Sequence, residues 1–410
     1  MIAVLTPRAL RAQTAKRWLR RNLFRNRADG VVTVVSAVVV GAVLYRAARF
    51  VLVTGRWEVI EVNQRLLMVG RYPDIHLPRI SVSLAVGALA SGLVAGIVYA
   101  RQVQAGTSAV AHLGPAARLA DLVERFWPVL LGAGLLLALS TTVGPKIAVG
   151  AALVAGLAGR IIGARLPSRL HPIVVVAALI TPFALVAYLA DAVGWDSWGG
   201  LMLNVYLAIA SIILCFPLGV LAALGRRSTL PAVRWISTGY IELFRGAPLF
   251  VLLLMASVAL GFFVPAGAAP GRVVRAIVVF TLFTGAYMAE IVRGGLQSLP
   301  KGQTEAARAL GLSPSKVTFF IVLPQALRNV IPAQVGQLIS LFKDTTLAGA
   351  AMGLFELGNI SEGITLQGAF RGQQLLPEVL AFVGLLFWIG SYTMARESQR
   401  LERKLGVGER

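Results

Sequence analysis

Residues 301–324 read KGQTEAARALGLSPSKVTFFIVLP, a polar, charged stretch set between two apolar runs. Its residue types suit contact with a partner rather than bond-making chemistry. Glu305 offers a charge, Ala306 and Ala307 let a partner's backbone come close, and Gly311 permits a sharp turn. The local grammar is two short helices. Residues 305–310 are good helix formers. Gly311 stands where a left-handed residue is wanted after a helix, with the apolar Leu312 next. Ser313 is then an N-cap candidate, and Pro314 takes the first helical position, where its missing N–H is harmless. The second helix is expected over 315–323, ending at Pro324. A solvated loop would fit the polarity, and a DNA-reading helix-turn-helix would fit the turn. The apolar flanks exclude DNA, because so short a hairpin lies flat on a membrane and enters no groove.

A second constellation, Lys343-Asp344-Thr345-Thr346, interrupts an apolar run. Charges inside a span are costly, so each is a functional candidate. Lys343 lies on the order of 20 Å along a helix from Asn329, at or beyond mid-membrane. Adjacent helical positions point in different directions, so Lys343 and Asp344 cannot aim at one spot. One is expected to line a central path, where a zwitterionic substrate needs partners, and the other to tie the helix to a neighbour. The alternative is a structural pair steadying a kinked helix. Glu290 with Arg293, and Glu242 with Arg245, share helical spacing and are expected as structural ion pairs. The second pair precedes Gly246-Ala247-Pro248, a bent entry to the next span.

Catalysis has no candidates. His76, His112 and His171 are far apart, and Cys215, the sole cysteine, sits in an apolar run. No metal ligand set and no G-x-x-x-x-G-K-[ST] phosphate loop is present in the sequence.

Positioning these residues falls to membrane helices. Of 410 residues, 57% are hydrophobic and 14% charged, with a mean hydropathy of +0.76. That reads as an all-α integral membrane protein. The net charge of +21, from 39 basic and 18 acidic residues, is the signature of Lys and Arg in cytoplasmic loops rather than of nucleic-acid binding. Runs near span length occur at 31–53, 80–100, 126–145, 147–164, 170–190, 201–224, 246–265, 273–293, 329–353 and 379–395, giving about ten transmembrane helices. Both termini then face the cytoplasm, together with Arg165/Arg169, Arg226/Arg227 and the hairpin. The connections 191–200 and 353–376 face outward, and 56–79 is an outward segment that is unusually basic. Residues 1–30, with Arg8, Arg11, Lys16, Arg17 and Arg20, are expected as a basic cytoplasmic tail rather than a cleavable signal peptide. An N-terminal extension of about five helices (31–198) precedes a five-helix core (199–396) carrying the hairpin at 300–324, and 397–410 is a second tail.

Glu305-Ala306-Ala307, three residues, Gly311, nine residues and Ile321-Val322-Leu323-Pro324 resemble the EAA loop of ATP-driven importer permeases. ELFRGAPL (242–249), AYMAEIVRGGLQSLPKGQTEAARALGLS (286–313), VLPQALRNVIPAQVGQ (322–337) and LFKDTTLAG (341–349) resemble polar amino-acid ABC importer permeases of the histidine/glutamine/glutamate uptake type. LLMVGRYPD (66–74), WDSWGG (195–200) and FPLGVLAALGRRSTLPAVR (216–234) are similar to the longer permease of general L-amino-acid importers. Thr346 stands where that family often has Ser, and Gly285 where a small polar residue or Ala is common.

The resemblance implies a type I ABC importer permease core in a bacterial inner membrane, surrounded by lipid. It implies that Glu305, Ala306, Ala307, Gly311 and Pro324 belong to a hairpin seated on a separate ABC ATPase. A second permease, or a second copy, would complete the path for a polar L-amino acid delivered by a periplasmic binding protein. ATP and Mg would sit on the ATPase, with no cofactor in this chain. The competing reading is an ion-gradient-driven secondary amino-acid transporter, which carries intramembrane acids and inverted repeats. Here Asp344 and Glu290 are the available acids, and no repeat stands out.

Overall fold

Apolar runs of this length must satisfy their own backbone groups in lipid, and the chain does so with helices. The computed structural model describes residues 18–19, 21–106, 115–140, 142–264 and 270–406. Most of the expected N-terminal tail, with Arg8, Arg11, Lys16, Arg17 and Arg20, lies outside the described residues, as do 407–410. Two units emerge, Met1–Trp57 and Glu58–Arg410. In the first, α1 (Arg27–Arg49) starts at Asn26, whose Oδ1 accepts the Asp29 N–H at 2.7 Å, and runs on as a π-helical turn, Phe50–Thr54. It buries no residue.

The second unit opens with α2 (Glu58–Val69), α3 (Leu77–Gln104), α4 (Pro115–Leu139), α5 (Val143–Arg165) and α6 (His171–Ala192). Then come α7 (Gly200–Arg226), α8 (Pro231–Gly246), α9 (Leu249–Val258) and α10 (Arg272–Gln297). The hairpin helices are α11 (Lys301–Ala309) and α12 (Leu323–Asn329), followed by α13 (Ile331–Asp344), α14 (Leu347–Met352), α15 (Leu357–Thr365) and α16 (Leu376–Leu405).

Among the described residues, seven helices are long and apolar enough to span a membrane, or eight if one bent pair counts as a span. The differences from the expected ten have local causes. The expected span 126–145 stops at Leu139, and Pro145 lies in the first turn of α5. The expected span 246–265 is cut short: α9 covers Leu249–Val258, a separate short helix follows at Leu260–Phe263, and α9 meets α8 at 100°. Pro248 lacks an N–H and pushes Ala247 out of helical geometry, to φ −104°, ψ 141°. The expected span 329–353 is broken after Asp344 into α13 and α14.

Two packing modes hold the second unit together. Within the extension, α3 and α5 press main chain against main chain, and a β-carbon on Gly92 or Gly159 would overlap the facing carbonyl of Gly156 or Leu89. Small residues permit such approach where lipid gives no hydrophobic drive between helices. Around the residue-198 boundary the contacts are aromatic, and between α4 and α16 they are ionic. Tyr72, Leu189 and Val193 share one buried cluster with Trp198, Leu203, Leu207, Leu253 and Phe280. Trp195 stacks on Trp198 at 5.4 Å, and Tyr72 meets Trp198 edge-on at 6.4 Å. The Tyr72 hydroxyl donates to the Leu189 carbonyl at 3.3 Å, and burial raises its pKa above the ordinary value. Elsewhere Arg125 of α4 grips Glu397 of α16 through Nε at 3.1 Å and Nη2 at 2.6 Å.

Replacing Gly159 by Ala is expected to destabilise the protein by about 1–3 kcal/mol through overpacking. Gly150→Ala, where a β-carbon meets open space, is expected to be neutral or to gain roughly 0.5–1 kcal/mol. Thermal unfolding in detergent, followed by tryptophan fluorescence, separates the two.

Candidate functional site

The hairpin turns as its residues predict. Gly311 adopts φ 77°. Its N–H donates to the Arg308 carbonyl at 2.9 Å, and the Leu312 N–H donates to that of Ala307 at 3.3 Å, so the last carbonyls of α11 are satisfied. Two details differ from expectation. Ser313 makes no side-chain cap; its carbonyl instead accepts the Val317 N–H at 2.9 Å. The second limb does not end at Pro324. A helical turn, Pro314–Lys316, widens into a π-helical stretch, Val317–Val322, and α12 then carries Pro324 in its first turn and runs to Asn329. The wide turn absorbs the register change, and a proline in a first turn needs no N–H.

Ala307 and Val317 are buried inside this finger, while Glu305 and Ala306 are exposed on it. Leu310 is 82% exposed and Phe320 74%. These two and Phe319 escaped the sequence reading. Their signal was the presence of large apolar residues in an otherwise polar stretch. The base of the finger is fixed: Leu323 and Ala326 pack with Val292 and Leu296 of α10, and Asn329 Nδ2 donates to Ser298 Oγ at 3.3 Å.

Close to that base, Glu290 collects cations from three helices. Arg226 of α7 bonds it at 2.6 Å, Arg293 of α10 at 2.8 Å, and Arg245 of α8 approaches to 3.7 Å. The expected 290–293 pair is present within this larger network. Glu242 meets Arg226 at 2.8 Å rather than Arg245, because the end of α7 brings a guanidinium between the two acids. Arg226 closes the network, although in sequence it reads only as the end of a span.

The interrupted helix shows a division of labour. Lys343 is exposed, Asp344 is half-buried, and neither has an ion-pair partner among the described residues. The tie to a neighbour comes from Thr345, fully buried. Its hydroxyl donates to the Phe342 carbonyl at 2.7 Å and accepts Asn204 Nδ2 of α7 at 3.0 Å. Thr346 bonds locally, to the Lys343 carbonyl at 2.9 Å. Asn204 also donates to Glu356 at 3.2 Å and accepts the Leu357 N–H at 2.9 Å. Neither Asn204 nor Glu356 was a sequence candidate. The amide in the apolar run LMLNVYLAIAS is the clue to the first.

Residues 215–406 match the family described as binding-protein-dependent transport system inner membrane component. The glutamate/glutamine/aspartate/asparagine transport system permease protein BztC of Rhodobacter capsulatus is 34% identical over 428 aligned residues, covering 95% of this chain and 94% of that one. The chain belongs to this permease family. The inner membrane amino-acid ABC transporter permease protein YhdY of Escherichia coli is 44% identical over 211 residues, which span 52% of this permease and 57% of YhdY. Among solved structures, an amino acid ABC transporter crystallised with histidines aligns at a TM-score of 0.44 with 25% identity, over 50% of this chain and 92% of that one. The permease is thus a multi-pass inner-membrane subunit, and the resemblance carried by residues 242–349 is borne out.

Removing the permease's Glu290 charge leaves three arginines facing one another. Glu290→Gln is expected to cost about 1.5–3 kcal/mol, the range for hydrogen bonds to charged groups. Thermal unfolding should show the loss, and Glu242→Gln, at the exposed edge of the network, should show a smaller one.

Proposed function

We propose that this chain is the pathway-forming subunit of an ATP-driven importer that moves polar L-amino acids into the cytoplasm. The observation that carries the reading is the finger itself. A charge at Glu305, a small residue at Ala306 and exposed apolar side chains at Leu310 and Phe320 stand together on a turn locked by Gly311. Exposed apolar side chains on a polar finger mark a docking surface, and an ABC ATPase is the partner that the permease family calls for. The finger, Arg226/Arg227 and the C-terminal end of α16 are assigned to the cytoplasmic side, in keeping with the positive-inside bias.

In this reading two permeases, this chain with a sister or a second copy, enclose the path. Two ATPase subunits each hold one finger, and a periplasmic binding protein presents the amino acid at the opposite face. Closure of the ATPases on ATP draws the fingers together. Each finger is packed onto α10, and α10 is tied to α7 and α8 through Glu290, so the pull reaches the helices as one displacement. ATP favours one arrangement only by binding it better than the other. Lys343 and Asp344 are assigned to the path, where an ammonium and a carboxylate suit a zwitterion, and Thr345 holds their helix in place. The names of the relatives favour glutamate, glutamine, aspartate and related polar amino acids.

Glu305→Ala and Gly311→Val are each expected to release the ATPase on affinity purification and to lower ATP-driven uptake in proteoliposomes by about tenfold or more, equivalent to about 1.4 kcal/mol of coupling. Co-purification and uptake at wild-type levels would overturn the coupling role. Lys343→Ala or Asp344→Ala is expected to lower uptake while the ATPase stays bound. Unchanged transport in both, with normal folding, would end their assignment to the path.

A further inference from the structure

Two stretches singled out in the sequence, residues 66–74 and 195–200, have no part in the finger, yet the fold brings them to one point. Gly70 and Gly200 both take left-handed conformations, φ 64° and 56°, which only glycine adopts without strain. Both are also pressed against main chain. A β-carbon on Gly70 would overlap the Gly199 α-carbon, and one on Gly200 would overlap the Leu67 carbonyl oxygen. The Gly200 N–H donates to the Phe355 carbonyl at 2.9 Å, and the Arg71 guanidinium lies 3.8 Å above the Phe355 ring. About two turns further back on α2, Asn63 Oδ1 accepts Gln367 Nε2 at 2.9 Å. The end of α2 therefore meets the turn that follows α14, residues 353–356, directly through Arg71 on Phe355 and indirectly through Gly200, which holds the Phe355 carbonyl.

The next link is Glu356, buried at the start of α15. Its Oε1 accepts the Asn359 N–H at 2.7 Å, and its Oε2 accepts the Gly358 N–H at 2.7 Å and Asn204 Nδ2 at 3.2 Å. Asn204 in turn bonds Thr345 at 3.0 Å, and Thr345 adjoins Asp344. An extension that merely anchored the chain in lipid would leave this turn alone. Here it supplies one wall of it.

We propose that the N-terminal extension is a positioning element for the interrupted helix. Arg71 on Phe355, and Gly70 against the Gly199–Gly200 backbone that holds the Phe355 carbonyl, fix the 353–356 turn, while Asn63 holds Gln367 beyond the far end of α15; through Glu356 and Asn204 that turn sets the direction in which Lys343 and Asp344 face. Only the role of those two as path residues rests on the importer reading; the mechanical link stands apart from it.

The test uses this permease in lipid nanodiscs, comparing wild type with the double variant Arg71→Ala/Gln367→Leu. Gly70→Ala serves as a stronger variant. One readout is amide hydrogen exchange at Gly358 and Asn359. The other is the labelling rate of a Lys343→Cys reporter, in a Cys215→Ser background, by methanethiosulfonate ethylammonium. Loss of one cation–π contact and one hydrogen bond is expected to speed exchange at both amides by about tenfold and to change the labelling rate by about threefold or more, while α3 and α5 amides keep their protection. Exchange and labelling within about twofold of wild type would overturn the proposal. So would acceleration spread evenly over α3 and α5, which marks general loosening. Absence of ATP-driven uptake by the wild-type assembly would defeat the importer reading and leave these two results standing.

Discussion

Asn204 is the interaction on which the rest of this structure depends. It stands in an apolar stretch of α7, where an unpaired amide is costly, and its three bonds join two other pieces of chain. One reaches the break in the α13–α14 helix, one a carboxylate that caps α15, and one the backbone of α15 itself. A helix broken at membrane depth frees backbone and side-chain groups that lipid cannot satisfy. Here the backbone at the break pairs locally, Thr346 N–H with the Lys343 carbonyl and Ala348 N–H with that of Thr345, while the Thr345 hydroxyl takes the Phe342 carbonyl and is itself held by Asn204.

The two ends of the permease are held by different chemistry. Near the finger the ties are charged and partly exposed: Glu290 with its arginines, and Glu397 with Arg125. Such pairs tolerate small rearrangements, since a guanidinium has several donors to offer. Around Phe355 the ties are glycine main chain, stacked rings and buried amides, which admit almost no adjustment.

Much of this was legible in the residues. The finger's turn, its two limbs and the left-handed Gly311 follow from local rules that act over a few residues. So did the helical, membrane-spanning class, because apolar length is a strong signal. What escaped were relations between distant segments. Pro324 reads as a stop, yet a π turn ahead of it lets a new helix begin. Glu242 and Arg245 have the spacing of a pair, but Arg226, sixteen positions upstream of Glu242, takes the acid. Asn204 and Glu356 lie 152 positions apart, and no local pattern announces that they meet. The exposure of Leu310 and Phe320 likewise depends on which face of the finger is covered, something a linear pattern does not record.

The right-angle junction of α8 and α9 carries a mechanical consequence. A corner made by a missing proline N–H cannot be straightened by sliding hydrogen bonds, so the two arms behave as a crank. Any shift of α8 that left this corner intact would reach α9 turned through 100°.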